Sequence, residues 1–332
     1  MRFADEKATM RAVVRDRYGS PDVVGLAKVA KPVPGANEVL MKVEAASVNT
    51  ADLDHLRGRP LLARVGTGIL KPKHRVMGLA AAGVIEAVGA EVSRLQPGDQ
   101  VWADLIGFGH GAFAEYVSAP ETAFAPKPAG MTFEQAATFP HSAVLARQAF
   151  RSGRPIRPGH KVLIIGAGGC VGPFAIQIAK SFGAEVTGVD HAGKLEVMRS
   201  AGADHVIDYI REDVTRNGVA YDLILDIAEA RSVLRYRRSL TDTGRYVLIA
   251  RTLSGFFAAF FLGGLVAMMG SKTMGVFSWR PNDKGDLKFL GELFDEGKLT
   301  PLIDRHFNLG EVGDALRYQE DGHARGKLVI TV

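Results

Sequence analysis

The sequence predicts an α/β protein built from a β-rich module and a doubly wound parallel sheet. Three observations predict it. Over about the first 130 residues, short apolar runs are separated by glycine- and proline-containing turn clusters. From Lys161 onward, six strand-like segments alternate with segments of helix length. The first of those six runs into a glycine-rich turn followed by an apolar stripe at helical spacing. Strands that alternate with helices are carried back to the same end of the sheet by each crossover, so they pair in parallel.

Taken in chain order, the runs Val39 to Val43 and Ala81 to Val88 are bounded by the turn clusters PGAN and QPGDQ, which reads as an all-β module. The six later strands are VLII (162–165), EVTGVD (185–190), HVID (205–208), YDLILDI (221–227), RYVLIA (245–250) and MGVFSW (274–279). The tail holds a helix, DLKFLGELFDEGKL, and a closing strand, KLVITV, expected to rejoin the first module. This divides the chain into residues 1–135, completed by 285–332, and an intervening domain of residues 136–284. A length of 332 residues suits two such domains.

Composition narrows the functional classes. With 47% hydrophobic and 23% charged residues, the chain can bury a core and is not mainly disordered. The single cysteine, Cys170, excludes an intrachain disulfide and a Cys-rich structural zinc site. The net charge of +5 comes from basic residues scattered along the chain, so no nucleic-acid partner is expected. Charges at Arg2, Asp5, Glu6, Lys7 and Arg11 leave no apolar secretory stretch at the start, and a cytoplasmic location is the default reading. Residues 252–271 carry no charge, but four glycines interrupt them. They read as core, as a pocket wall or as an interfacial contact, and no membrane span is expected.

The chemistry is concentrated in KVLIIGAGGCVGPFAIQIAKSFGAEVTGVD, a strand, turn, helix and strand that form a dinucleotide-binding unit. Gly166, Gly169 and Gly172, with Cys170 and Val171 between the last two, supply the tight turn and the close backbone approach that a pyrophosphate needs. Pro173 suits the first helical turn, and Gly183 supplies a stop. Phe174, Ile178 and Phe182, with Ala175 and Ala179, make one apolar stripe toward the sheet.

From about Met10 to Val332 the chain resembles the medium-chain dehydrogenase/reductase superfamily, in its zinc-independent quinone oxidoreductase (zeta-crystallin-like) branch. The segments AASVNTADLDHLRG, GLAAAGVIEAVGAEVSRLQPGDQVWA, GAFAEYVSAPE, GADHVIDY and HARGKLVITV carry the resemblance together with the glycine turn. It implies a GroES-like catalytic domain made from both chain ends, a Rossmann domain between them, and hydride transfer in the cleft. Where zinc-dependent relatives place a Cys and a His-Glu pair, this chain reads Asn49-Thr50 and Leu79-Ala80, so no catalytic zinc is expected. His141 and His74 are read as surface or hydrogen-bonded histidines in preference to ligands. The resemblance makes Asn49 the candidate to orient substrate or nicotinamide, with Asp52 holding its loop. The alternative for this pair is a turn-stabilising role. Pro60 and Leu145 stand where relatives often carry a tyrosine and a threonine, so no proton-donating side chain is identifiable and water is the expected proton source.

Without a Lewis acid, an alcohol is hard to deprotonate, whereas hydride addition to a quinone or an activated alkene needs positioning and a polar cradle. The expected reaction is therefore NAD(P)H-dependent reduction of a quinone, enone or 2-alkenal. A zinc-free alcohol or carbonyl oxidoreductase, and a non-catalytic NADPH-binding crystallin-like or RNA-binding protein, are the alternatives. Asp190, at the end of its strand, suits the ribose of NAD and would repel a 2′-phosphate. Lys194 stands where many NADPH-using relatives place a lysine or arginine, Tyr209 and Arg211 resemble the family's adenosine wall, and Lys327 resembles a residue reaching the cofactor cleft. The balance tips narrowly to NADP(H) over NAD(H). The edge strand MGVFSW resembles the edge at which relatives pair, so a homodimer is expected.

Overall fold

A computed structural model describes residues 8–229, 231–249, 271–276 and 279–332. Most of the apolar run 252–271, and Phe277 and Ser278 of the last predicted strand, lie outside the described residues. Strands β1 (Thr9–Arg15) and β2 (Val24–Ala30) form an antiparallel hairpin. A seven-stranded sheet takes β3 (Glu38–Val48), β4 (Ala80–Val88), β5 (Gln100–Asp104), β6 (Tyr116–Pro120) and β7 (Phe124–Pro126) from the first part of the chain. Its order β14-β15-β3-β4-β5-β7, with β6 also on β3, is completed by β14 (Ile303–Asn308) and β15 (Lys327–Thr331) of the tail.

The second sheet holds β8 (Lys161–Ile165), β9 (Glu185–Asp190), β10 (His205–Asp208), β11 (Tyr221–Asp226), β12 (Leu240–Leu248) and β13 (Thr273–Val276). All of its pairings are parallel, in the order β10-β9-β8-β11-β12-β13. Renumbered from its first strand, that order is 3-2-1-4-5-6, the dinucleotide-binding arrangement with its ligand crevice where the order reverses beside β8. The helix Gly172–Ser181 packs on this sheet through Phe174, Ala175, Ile178 and Ala179, all buried, while Phe182 is only partly so. Gly183, at φ 77°, ends it.

The first part is not wholly β. The helix Thr50–Arg57 interrupts the strands, because Asn49 is extended at its N-cap and the Asp52 carboxylate accepts the Asn49 N–H at 2.8 Å. Gly58, in the left-handed region at φ 63°, closes it. The tail helix Lys284–Asp295 buries Leu287, Leu290 and Leu293 in the same apolar cluster as Val144, Ala146 and Phe150 of the helix Val144–Arg151. Gln148 ties the two together by donating to Asp286 at 2.9 Å.

Candidate active site

The antiparallel register pairs Leu328 of β15 with Val48 of β3, so Lys327 enters its strand beside Asn49. Lys327 Nζ donates to Asn49 Oδ1 at 2.6 Å, to Ser142 Oγ at 3.0 Å and to the Val48 carbonyl at 3.3 Å. Ser142 in turn donates to Asn49 Oδ1 at 3.0 Å, and Asn49 Nδ2 donates to the Ser47 carbonyl at 3.0 Å. Asn49, Ser142 and Lys327 are all at most 1% exposed. An amide has two N–H donors, so one Asn49 N–H remains for a ligand. Burial lowers the Lys327 pKa, opposed by the nearby Cys170, Asp52 and Asp104. Burial also pushes the Asp52 carboxyl up to about 7, against the Asn49 N–H and the charges of His141 and Lys327.

The glycine turn adjoins this cluster. Cys170 Sγ donates to Gln319 Oε1 at 3.2 Å, and Gln319 Nε2 reaches Thr50 Oγ1 at 3.4 Å. Gly166 has φ 80°, and a Cβ on Gly172 would lie 2.1 Å from the Ala167 carbonyl oxygen, so both positions demand glycine. A Cβ on Gly169 meets nothing closer than 3.7 Å, which leaves open space above the turn. The helix that starts at Gly172 leaves its first N–H groups without intrahelical partners, and the turn fits a dinucleotide pyrophosphate.

Asp190 closes the turn from below. Its two oxygens accept the N–H groups of Gly168 at 2.9 Å and His191 at 2.8 Å. Lys194 stands over the turn, its Cβ lying 2.5 Å from where a Gly168 Cβ would be. Tyr209 is half exposed with its ring centroid 6.3 Å from that of His191, and the exposed Arg211 lies 3.7 Å from Asp208. The structure therefore gathers Asp190, Lys194 and Tyr209 at one corner of the turn, and Lys327 with Asn49 at the other.

Sequence reasoning missed Ser142, Gln319 and a buried pair, His141 with Asp104. His141 Nδ1 lies 2.8 Å from Asp104 Oδ2, while Asp104 Oδ1 accepts the Ile106 N–H at 3.0 Å. Nδ1 is thus the nitrogen that faces Asp104, and Nε2 makes no hydrogen bond among the described residues. The His141 ring lies edge-on to Trp279 at 5.2 Å, and the buried Trp279 Nε1 has no hydrogen-bond partner among the described residues. No local motif links residues 37 positions apart. The short π-helical turn Phe139–Ala143 that presents His141 was equally unmarked in the sequence.

A sheet of this order with a glycine turn opening toward a buried amine, amide and hydroxyl defines a nicotinamide-dinucleotide oxidoreductase. Two family models match, an alcohol dehydrogenase GroES-like domain over residues 35–129 and a zinc-binding dehydrogenase over residues 201–330. The mouse mitochondrial NAD(P)H oxidoreductase RTN4IP1 is 31% identical, the match covering 97% of this chain and 89% of that protein. The Arabidopsis thaliana chloroplastic NADPH-dependent alkenal/one oxidoreductase is also 31% identical, over 97% of this chain and 79% of that one. The solved quinone oxidoreductase of Coxiella burnetii superposes with a TM-score of 0.86 at 27% identity, covering 98% of this chain and 100% of that one. The chain belongs to the medium-chain dehydrogenase/reductase superfamily, in its quinone oxidoreductase branch, and is an NAD(P)H-dependent oxidoreductase.

The zinc that one family description implies does not fit these residues. Asn49 Oδ1 is already bonded to Lys327 and Ser142, and Leu79 is a buried aliphatic side chain. A dication would also lie against a buried amine. His74 packs on His110 with ring centroids 5.8 Å apart, and among the described residues no group of three or more His, Cys, Asp or Glu is placed to hold a metal. No helix among the described residues is long and apolar enough to cross a membrane.

Proposed function

We propose that this protein, without a catalytic zinc, reduces a quinone or an activated alkene such as an enone or 2-alkenal. The observation that carries the reading is the buried Lys327–Asn49–Ser142 cluster, which leaves one Asn49 N–H as a donor and contains no metal-ligating thiolate or imidazole. A nicotinamide dinucleotide bound through its diphosphate at the glycine turn would supply the hydride. The backbone of Gly169, Cys170, Val171 and Gly172 binds the diphosphate. The remaining Asn49 N–H and the orphan Trp279 Nε1 are donors for the substrate carbonyl, whose oxygen gains charge as hydride is added. His141, held at Nδ1 by Asp104, replaces water as the proton source when its ring carries a proton on each nitrogen, Nε2 then delivering one to the enolate carbon and leaving the ring neutral.

A panel of quinones, enones, 2-alkenals and plain ketones tests this reading. Turnover of the first three groups and none of simple ketones is the expected result, and faster turnover of ketones or of secondary alcohols overturns it. His141→Gln should lower enone kcat roughly a hundredfold and quinone kcat much less. Carbon protonation needs a placed acid, whereas a hydroquinone oxyanion takes its proton from water. Equal losses on both substrates would remove His141 from that role.

The reading takes NADPH as narrowly preferred. Asp190 is already tied to two backbone N–H groups, which offsets part of its repulsion toward a 2′-phosphate, and Lys194 overhangs the same corner. Lys194→Ala should shift the ratio of kcat/KM toward NADH. Asp190→Ser should shift it toward NADPH while raising KM for both, because the turn loses its tie. An unchanged ratio in both variants would place the 2′ position elsewhere. The same reading makes the protein a homodimer joined at β13, an end strand of the parallel sheet among the described residues.

A further inference from the structure

Half of the exposed large hydrophobic side chains among the described residues fall in ten consecutive positions. Leu61, Leu62, Val65, Ile69 and Leu70 are 65% to 92% exposed. Isolated exposed leucines are ordinary, but a contiguous apolar surface marks an interaction site. This one is held in place from behind. Tyr18 donates its hydroxyl to the Gly68 carbonyl at 2.7 Å, Arg64 stacks over the Tyr18 ring at 4.3 Å, and the Lys73 N–H bonds the Thr67 carbonyl at 2.7 Å. The backbone is tied to the body while its aliphatic side chains face outward.

Along this stretch of the chain the charge has one sign. No carboxylate occurs between Asp54 and Glu86, whereas six lysines and arginines do. Arg57 is paired with Glu320 and Arg75 with Asp16, but the exposed Arg59, Lys71 and Lys73 have no ion-pair partner among the described residues, nor does the neighbouring Arg17. Aliphatic side chains framed by free cations match the chemistry of an anionic bilayer surface, where leucines enter the acyl boundary and cations meet the headgroups. A second copy fits less well, because a two-fold contact would set Arg59, Lys71 and Lys73 against their own images. A nucleic acid fits less well too, since the patch offers aliphatic side chains and no aromatic face for bases.

We propose that residues 59–73 are a docking surface for anionic lipid membranes. Docking is peripheral, through side chains of a fixed loop. The helix Thr50–Arg57 runs from Asn49 to this loop, so docking would hold the candidate active site about 12 Å along the helix axis from the lipid surface. Apolar substrates concentrate there, a consequence that rests on the proposed reaction although docking itself does not.

Flotation with vesicles of phosphatidylcholine alone, and of phosphatidylcholine containing roughly one phosphatidylglycerol in three, tests the proposal. The protein should bind the second and not the first, and be released by about 0.5 M salt. Leu62→Ser with Leu70→Ser, and separately Lys71→Ala with Lys73→Ala, should each weaken binding tenfold or more. Turnover of a water-soluble quinone should stay unchanged in both. Failure of the wild type to bind anionic vesicles overturns the proposal, as does binding that the variants leave intact. A dimer mass in solution that Leu62→Ser with Leu70→Ser abolishes would also overturn it, by assigning the patch to a second copy.

Discussion

Replacing Gly169 with valine should abolish dinucleotide binding without unfolding the protein. The space above Gly169 is empty to 3.7 Å and its backbone is not left-handed, so the side chain is accommodated in the free fold. Once there, it occupies the volume through which a diphosphate must approach the helix start. A loss of roughly a hundredfold or more in NADPH affinity, about 2.7 kcal/mol, is expected by fluorescence titration. The thermal midpoint should stay within about 3 °C of wild type. Gly172→Val is the contrasting case. Its Cβ would stand 2.1 Å from one backbone atom of Ala167 and 2.3 Å from another, so the turn must open and the packing of the helix on β8 and β9 is lost with it. If Gly169→Val binds NADPH as the wild type does, the glycine turn is not the binding site.

The second large effect is expected from Asp52→Asn, and it depends on pH. Burial raises the Asp52 carboxyl from 3.8 to about 7, and its Oδ1 has no hydrogen-bond partner among the described residues. Between those values the native state keeps a proton that the unfolded chain has released. The contribution of Asp52 to stability therefore falls as pH rises from about 4 to about 7 and is level above, a span of about 4 kcal/mol. An asparagine keeps an oxygen for the Asn49 N–H but cannot ionise. The variant should gain on the wild type steadily through that window. Urea midpoints of both proteins at intervals from about pH 4 to about pH 8 measure the difference. A difference that does not change with pH would show that Asp52 ionises normally in the fold.

Much of the scaffold was legible because its signals are local. EVTGVD and HVID match β9 and β10 residue for residue, since buried parallel strands are short apolar runs with turn residues at their ends. The helix Thr50–Arg57 was overlooked although its cap residues are present in the sequence. Its eight residues are too few for a clear apolar period among neighbouring strands. The roles proposed for Asn49 and Lys327 rest on family resemblance, and nothing in the residues themselves predicted their contact.

The sequence by itself determined the order of strands and helices, the glycine turn with its acidic strand end, and the absence of thiolate and imidazole from the positions where relatives bind zinc. Each depends on residue types at fixed local spacing, where backbone geometry leaves few choices. Only the tertiary structure decided that Lys327 meets Asn49, 278 positions away, because the antiparallel register of β15 on β3 places them side by side. The pairing of His141 with Asp104, the join from Cys170 through Gln319 to Thr50, and the outward face of residues 61–70 were decided in the same way. Such contacts arise from how sheets and helices pack, and burial then sets the charge state of the groups enclosed, as with Asp52 and Lys327. No spacing rule in the chain encodes that burial.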